Sequence, residues 1–88
     1  MDILKSASAG TMESSDVYVQ IEPGKGLDIQ LESVVLNQFG DAIREVVTEV
    51  LREQGVENAA VRIVDRGALE CVIRARVETA VLRGKEEA

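Results

Sequence analysis

The sequence predicts a small α+β domain in which a mainly antiparallel sheet packs against two helices, in the order β-β-β-α-β-α. Two adjacent segments, 16–22 and 27–32, alternate between apolar and polar residues, as half-buried strands do. Two later segments carry apolar residues at helical spacing, and a short alternating stretch separates them. The 88 residues form one domain, because so short a chain buries only about 60 to 65% of its unfolded surface.

The N-terminal part of the sheet is predicted from alternation and turn residues. Residues 1–10 show little periodicity and indicate a flexible arm, with at most a short strand near its end. The segment 23–26, Pro-Gly-Lys-Gly, favours a turn, so the two alternating strands are expected to pair as an antiparallel hairpin with an acidic outer face. Its apolar face consists of Val17, Val19, Ile21, Leu27, Ile29 and Leu31.

The first helix is predicted over residues 34–54, with Ser33 as its N-cap and Gly55 in the left-handed conformation at its end. A later strand is expected at 60–65, and Arg66-Gly67 ends it. The apolar face of the helix is formed by Leu36, Phe39, Ile43, Val46, Val47, Val50 and Leu51.

The second helix is predicted from Ala68 to about Leu82, and residues 84–88 are expected to be a frayed tail. Its far side would carry Cys71, Ala75 and Leu82. That side is either covered within the domain or offered to a partner, and we favour a packing role for Cys71. The main apolar stripe consists of Leu69, Val72, Ile73, Val77 and Ala80.

Composition excludes several classes of function. Sixteen acidic residues against ten basic ones give a net charge of −6, which argues against nucleic acid or an anionic membrane as partner. The chain has no histidine and one cysteine, so it can build neither a Ser-His-Asp or Cys-His site nor a Cys/His zinc site nor an internal disulfide. We therefore expect a non-catalytic subunit without catalytic residues or metal ligands.

The chain is expected to stay in the cytoplasm. No apolar run approaches the roughly 20 residues of a membrane span. Asp2 stands where a signal peptide would need basic residues.

Hydroxyl groups cluster before the first clear strand. Thr11, Ser14 and Ser15 are followed by Asp16, a composition typical of a surface turn. Ser14 and Ser15 would then lie at an exposed tip, where another protein can reach a small hydroxyl.

Three stretches carry a resemblance to a known family. They are 9–17 (AGTMESSDV), 38–43 (QFGDAI) and 65–78 (DRGALECVIRARVE), in the expected order along the chain. The sequence resembles the acyl carrier protein (gamma chain) of citrate lyase. Met12 stands where leucine is usual in that family and Arg66 where lysine is usual, and both keep the character of the position.

The resemblance implies a site and a set of partners. In that family the serine of Gly-Thr-x-Glu-Ser, here Ser14, carries a phosphodiester-linked 2′-(5″-phosphoribosyl)-3′-dephospho-coenzyme A, attached by a separate transferase. The alpha subunit exchanges the acetyl thioester for a citryl one, and the beta subunit cleaves the citryl thioester to oxaloacetate. Conventional acyl carrier proteins are four-helix bundles with an Asp-Ser-Leu motif, which this chain lacks.

Three alternatives to the citrate lyase carrier stay open. The chain could be the equivalent carrier of malonate decarboxylase, which uses the same kind of arm. It could be an unmodified interaction module that docks through the acidic face or the Cys71 side of the last helix. A stand-alone enzyme using paired carboxylates is the third.

Three arginines have more than one possible role. They could contact the phosphates of the arm or an acidic partner, or simply form a solvated face; they are Arg66, Arg74 and Arg76.

Overall fold

The computed structural model describes residues 2–34 and 36–85, the side chains of 36–39 excepted. Within these residues the predicted order of elements is confirmed. The elements are β1 (Ala7–Gly10), β2 (Val17–Glu22), β3 (Leu27–Ser33), α1 (Leu36–Glu53), β4 (Ala59–Asp65) and α2 (Glu70–Lys85).

The strand order in the sheet is β1-β2-β4-β3, so the predicted hairpin between β2 and β3 is wrong. β4 lies between these two strands, antiparallel to β2 and parallel to β3. The hairpin of this sheet is instead β1 with β2, where Ala9 lies opposite Val19. β4 (AAVRIVD) is apolar at all but two positions whereas β3 (LDIQLES) alternates with polar residues, which suits β4 to a central place and β3 to an edge. The sheet is therefore mixed, with two of its three described pairings antiparallel.

Both helices pack on one face of this sheet. α1 forms the crossover between the parallel strands β3 and β4, as such a connection requires. Its end is as predicted: Gly55 has a φ of 72°, and the Val56 amide donates to the Leu51 carbonyl at 2.9 Å. The buried apolar residues of strands and helices form one cluster.

The predicted apolar stripes are confirmed for most of the residues that the structure describes. The buried members are Val17, Val19, Ile21, Ile43, Val46, Val47, Val50, Leu51, Ile73, Val77 and Ala80, and Val61 and Ile63 of β4 are buried beside them. Leu36 and Phe39 lie outside the described side chains. Leu69 is 71% exposed and precedes α2, which begins at Glu70 rather than at the predicted Ala68. Cys71 is exposed, so the packing role predicted for it is wrong: it lies on the side of α2 opposite Ile73 and Val77.

The segment predicted to be a flexible arm is attached at several points. Residues 7–10 form β1, and the Ile3 side chain is buried in the core. The Leu4 amide donates to the Gly84 carbonyl at 2.9 Å, and Asp2 accepts from the Glu57 amide at 3.0 Å. The flexibility of 1–10 stays a prediction. Of the predicted tail, Gly84 and Lys85 belong to α2, and 86–88 lie outside the described residues.

The other face of the sheet is mainly polar, apart from Val64, which is buried there next to Tyr18. The predicted acidic residues of β2 and β3 lie there, but β4 separates them and places Arg62 between Gln20 and Gln30. Across the described parts of the chain, no helix combines the length and apolar character that crossing a membrane requires.

Candidate modification site

Residues 11–16 connect β1 to β2 and form a tight turn. The Asp16 amide donates to the Glu13 carbonyl at 3.1 Å, which places Ser14 and Ser15 at the two central positions. Both serines are exposed, as the sequence predicts. Ser14 is the first of these two residues and forms the exposed corner of the turn, where a second protein can approach its hydroxyl.

The turn continues into a β-bulge that the residue after β4 completes. The Ser15 amide donates to the Arg66 carbonyl at 2.8 Å, and the Arg66 amide donates to the Asp16 carbonyl at 2.9 Å. Ser15 and Asp16 thus lie opposite the single residue Arg66, and Ser15, the first residue of the bulge, has a φ of 66°. Glycine is usual at such a position, and another residue there costs about 1 to 2 kcal/mol. The strained, hydrogen-bonded Ser15 therefore holds the backbone that presents Ser14.

The Asp16 carboxylate accepts several of the hydrogen bonds that fix the turn. It accepts from the Thr11 hydroxyl at 2.7 Å, the Val17 amide at 2.7 Å, and Arg76 Nε and Nη2 at 3.2 and 3.1 Å. The Thr11 hydroxyl oxygen also accepts from the Glu13 amide at 3.2 Å. The Thr11 bond first, then those from Val17 and Arg76, lower the pKa of Asp16 to about 2. Arg76 thereby connects the turn to α2.

The lowered pKa of Asp16 predicts an acid-dependent loss of stability. Because the unfolded chain binds this proton with a pKa of about 3.9, ionised Asp16 stabilises the fold above pH 4 or so. That contribution is lost as pH falls from about 4 to about 2, through the folded-state pKa. We expect Asp16→Asn to flatten this part of a melting-temperature profile against pH. Equal slopes in the wild type and in Asp16→Asn would contradict the assignment, and Asp28→Asn, on an exposed residue, is the control.

The three candidate arginines have different surroundings. Arg74 bridges the helices, because it pairs with Glu49 at 2.9 Å and with Glu53 and Glu70 at 3.5 Å each. Arg76 pairs with Asp16 at 3.1 Å. The Arg66 side chain is exposed, and its backbone is bonded directly to the serine turn. The structure thus brings Arg66 and Arg76 to the turn and assigns Arg74 to the contact between helices.

The role of Asp65 was missed at the level of the sequence. Its side chain is 1% exposed and accepts from the Ser33 hydroxyl at 2.8 Å and from the Gly67 and Ala68 amides at 3.2 and 2.9 Å. It therefore shapes the segment after β4 that holds the serine turn. An aspartate followed two residues later by glycine at a strand end is a signal for such a local turn.

Comparison with known proteins identifies the family. The family model described as malonate decarboxylase delta subunit, an acyl carrier protein model, matches residues 4–84. The citrate lyase acyl carrier protein of Escherichia fergusonii is 55% identical over 89 residues, which cover 99% of this chain and 92% of that protein. The chain belongs to the citrate lyase acyl carrier protein family. The protein of that name from Weissella paramesenteroides is 54% identical over 84 residues, covering 94% of this chain and 87% of that protein.

A solved structure shares the fold. One chain of a Pseudomonas malonate decarboxylase hetero-tetramer, crystallised in complex with malonate, superposes with a TM-score of 0.76 at 28% identity. The match covers 88% of this chain and 80% of that chain. Membership of the citrate lyase acyl carrier family makes the present chain a carrier rather than a catalyst.

Proposed function

We propose that the chain is the acyl carrier subunit of citrate lyase and that Ser14 is the attachment point of 2′-(5″-phosphoribosyl)-3′-dephospho-coenzyme A. The observation that carries the proposal is the geometry of the turn. Ser14 stands exposed at its corner, while hydrogen bonds to Arg66 and Arg76 hold the residues that follow it. Among the relatives, those named citrate lyase acyl carrier protein support the carrier role.

The neighbouring residues suit a phosphodiester at Ser14. The serine corner is open to solvent, so a bulky group has room there. Arg66 is the exposed cation bonded through its backbone to Ser15 and Asp16, and it can balance the negative charge of a phosphodiester. The acidic Asp16 is itself paired with Arg76, which reduces its repulsion of the phosphate.

A separate transferase attaches the group, as the resemblance to the citrate lyase carrier implies, so the chain need not supply a general base of its own. The new bond joins Ser14 Oγ to the phosphorus of the phosphoribosyl group. The bond that breaks joins this phosphorus to a polyphosphate leaving group on the donor, and the hydroxyl proton passes to a base of the transferase. The chain contributes an accessible nucleophile on a fixed backbone.

The attached group supplies a terminal thiol that holds acetyl and citryl groups as thioesters. Tethering raises the concentration of the acyl group at neighbouring active sites to the millimolar range or so. We propose that the alpha subunit performs acyl exchange and the beta subunit citryl cleavage, in the cytoplasm, while this chain carries the acyl group between them.

The Ser14→Ala variant is expected to lose the mass increase that the wild type acquires when it is produced together with its maturation enzymes. It is also expected to abolish citrate cleavage by the reconstituted complex, because the acyl group has no other attachment point. Intact-mass spectrometry and a citrate cleavage assay check the two effects.

The matched control for this experiment is Ser15→Ala. It changes a hydroxyl on the same turn but leaves the corner serine, so we expect normal loading. A mass increase that persists in Ser14→Ala and disappears in Ser15→Ala would move the site by one residue. No mass increase in the wild type would overturn the proposal.

A carrier role in malonate decarboxylase is the second candidate. The matching family model and the Pseudomonas structure both carry that name. The identity to that solved chain is 28%, against 55% to the citrate lyase carrier of Escherichia fergusonii, and we therefore favour citrate lyase. Reconstitution of the loaded chain with the other subunits of each enzyme distinguishes the two candidates.

A further inference from the structure

Each of the four strands has one terminus on the side of the sheet where Ser14 lies. β2 starts where β4 ends because the two strands are antiparallel, and β3 ends there because it is parallel to β4. β1 ends there as well, opposite the start of β2. The serine turn, the residue after β3 and the segment after β4 therefore surround one site.

Large apolar side chains are exposed around this site. Met12 in the turn is 47% exposed, Val34 after β3 is 64% exposed, and Leu69 before α2 is 71% exposed. We call these three residues the apolar rim. The Val34 amide donates to the Asp65 carbonyl at 3.3 Å, next to Arg66, which is bonded to Ser15 and Asp16. The rim residues thus belong to segments that are connected by hydrogen bonds to the serine turn.

A groove adjoins the rim on the helix side. It has a volume of about 320 Å³ and lies between the segment after β4 and α1, lined in part by Ile43, Val46, Gly67, Ala68 and Ile73. An apolar side chain of a docked protein can enter such a groove, whereas the protruding rim residues can enter pockets of the partner.

We propose that the apolar rim is the docking surface for the enzyme that attaches the phosphoribosyl dephospho-coenzyme A group to Ser14. This inference rests on the proposed function. The reaction that the partner catalyses defines its chemistry, because it needs an active site that holds an anionic coenzyme donor. An apolar surface around the mouth of that active site would cover the rim.

The geometry favours this enzyme as the occupant over the subunits that use the loaded arm. An enzyme that forms a bond to Ser14 Oγ must place its own active site directly on the turn. A standard interface covers about 800 Å² of each partner, equivalent to a circle of roughly 16 Å radius. Because the whole domain measures 35 × 22 × 17 Å, such an area centred on Ser14 includes the rim. Subunits that act at the far end of the arm need not touch the turn.

Matched control residues lie away from the site. Leu27 begins β3 and is therefore at the opposite end of the sheet, with 37% exposure. Leu82 is 57% exposed in the last turns of α2, whose terminal Lys85 donates to the Gln54 carbonyl beyond the end of α1. These leucines are comparable in chemistry to Leu69 but would not contact an enzyme centred on Ser14.

The test is a steady-state transfer assay on the full, unloaded chain, with the donor saturating and loading followed by intact mass. For the double variant Val34→Ser, Leu69→Ser we expect the KM for the chain to rise about tenfold or more with kcat little changed. The lost docking contacts stabilise the bound chain and the transition state of the transfer equally, so their loss weakens binding without slowing the chemical step. Leu27→Ser and Leu82→Ser should stay within about twofold of the wild type, and circular dichroism checks that each variant is folded.

The outcomes separate this inference from the proposed function. A wild type that is not loaded overturns both. A loaded wild type with an unchanged KM in the double variant overturns the docking surface and leaves the function standing. An equal rise of KM in the control variants also overturns it, because the partner would then not be confined to this end of the molecule.

Discussion

Asp65→Ala is expected to lower the free energy of unfolding by about 2 to 4 kcal/mol, because it removes the carboxylate acceptor of three hydrogen bonds and empties a buried position. The donors of these bonds are the Ser33 hydroxyl and the Gly67 and Ala68 amides. A domain of this size has a total stability of roughly 4 to 13 kcal/mol, so the variant should lose a substantial share of it. Urea unfolding followed by circular dichroism measures the loss.

Two variants accompany this experiment. Asp65→Asn keeps an acceptor oxygen and fills the same space, so it should recover part of the stability. Asp28→Ala removes an exposed carboxyl from β3 and should change the stability by about 0.5 kcal/mol or less. If Asp65→Ala behaved like Asp28→Ala, the assigned hydrogen bonds would have no energetic importance.

Gly10→Ala is expected to destabilise the fold by about 3 to 4 kcal/mol, because two costs combine there. The φ of Gly10 is 89°, a conformation that costs an L-residue about 1 to 2 kcal/mol. A Cβ would also overlap the Val17 carbonyl oxygen and approach Arg76 Cδ to 3.3 Å. Because Gly10 pairs with Tyr18, relief of the overlap must displace the β1 to β2 pairing next to the serine turn.

Gly67→Ala is the matched control for this prediction. The φ of Gly67 is 91°, nearly that of Gly10, but a Cβ there meets nothing within 4 Å. It should lose only the conformational cost, about 1 to 2 kcal/mol. Thermal melts of the two variants measure the difference, which isolates the overlap with Val17. Equal melting temperatures would show that the backbone beside Gly10 yields without cost.

Local patterns were sufficient to predict the elements and the site of the turn. Alternation placed the β2 strand within one residue, and helical spacing placed α1 within two residues at its start and one at its end. The left-handed end of α1 at Gly55 was likewise predicted from its position after the apolar stripe. These features depend on neighbours in the chain, whose spacing is visible without any knowledge of long-range contacts.

The contacts that connect the serine turn to the rest of the fold could not be predicted in the same way. Asp16 and Arg76 are separated by 60 positions, and Ser15 and Arg66 by more than half the chain, yet both pairs are in contact. Leu69 is exposed just before α2, and the segment that leads to it is held by hydrogen bonds from the Gly67 and Ala68 amides to Asp65. Such contacts follow from the way strands and helices are assembled, and local periodicity does not carry that information.

The sequence by itself determined the order of the elements, the position of the polar turn with Ser14, and the exclusion of histidine chemistry. Only the tertiary structure decided that β4 separates β2 from β3, that Cys71 is exposed, and that the serine turn is bonded to the end of β4. The physical reason is that a strand pairs where its apolar residues are best buried. That burial depends on all the other strands and helices at once, whereas the alternation of a strand depends on its own residues.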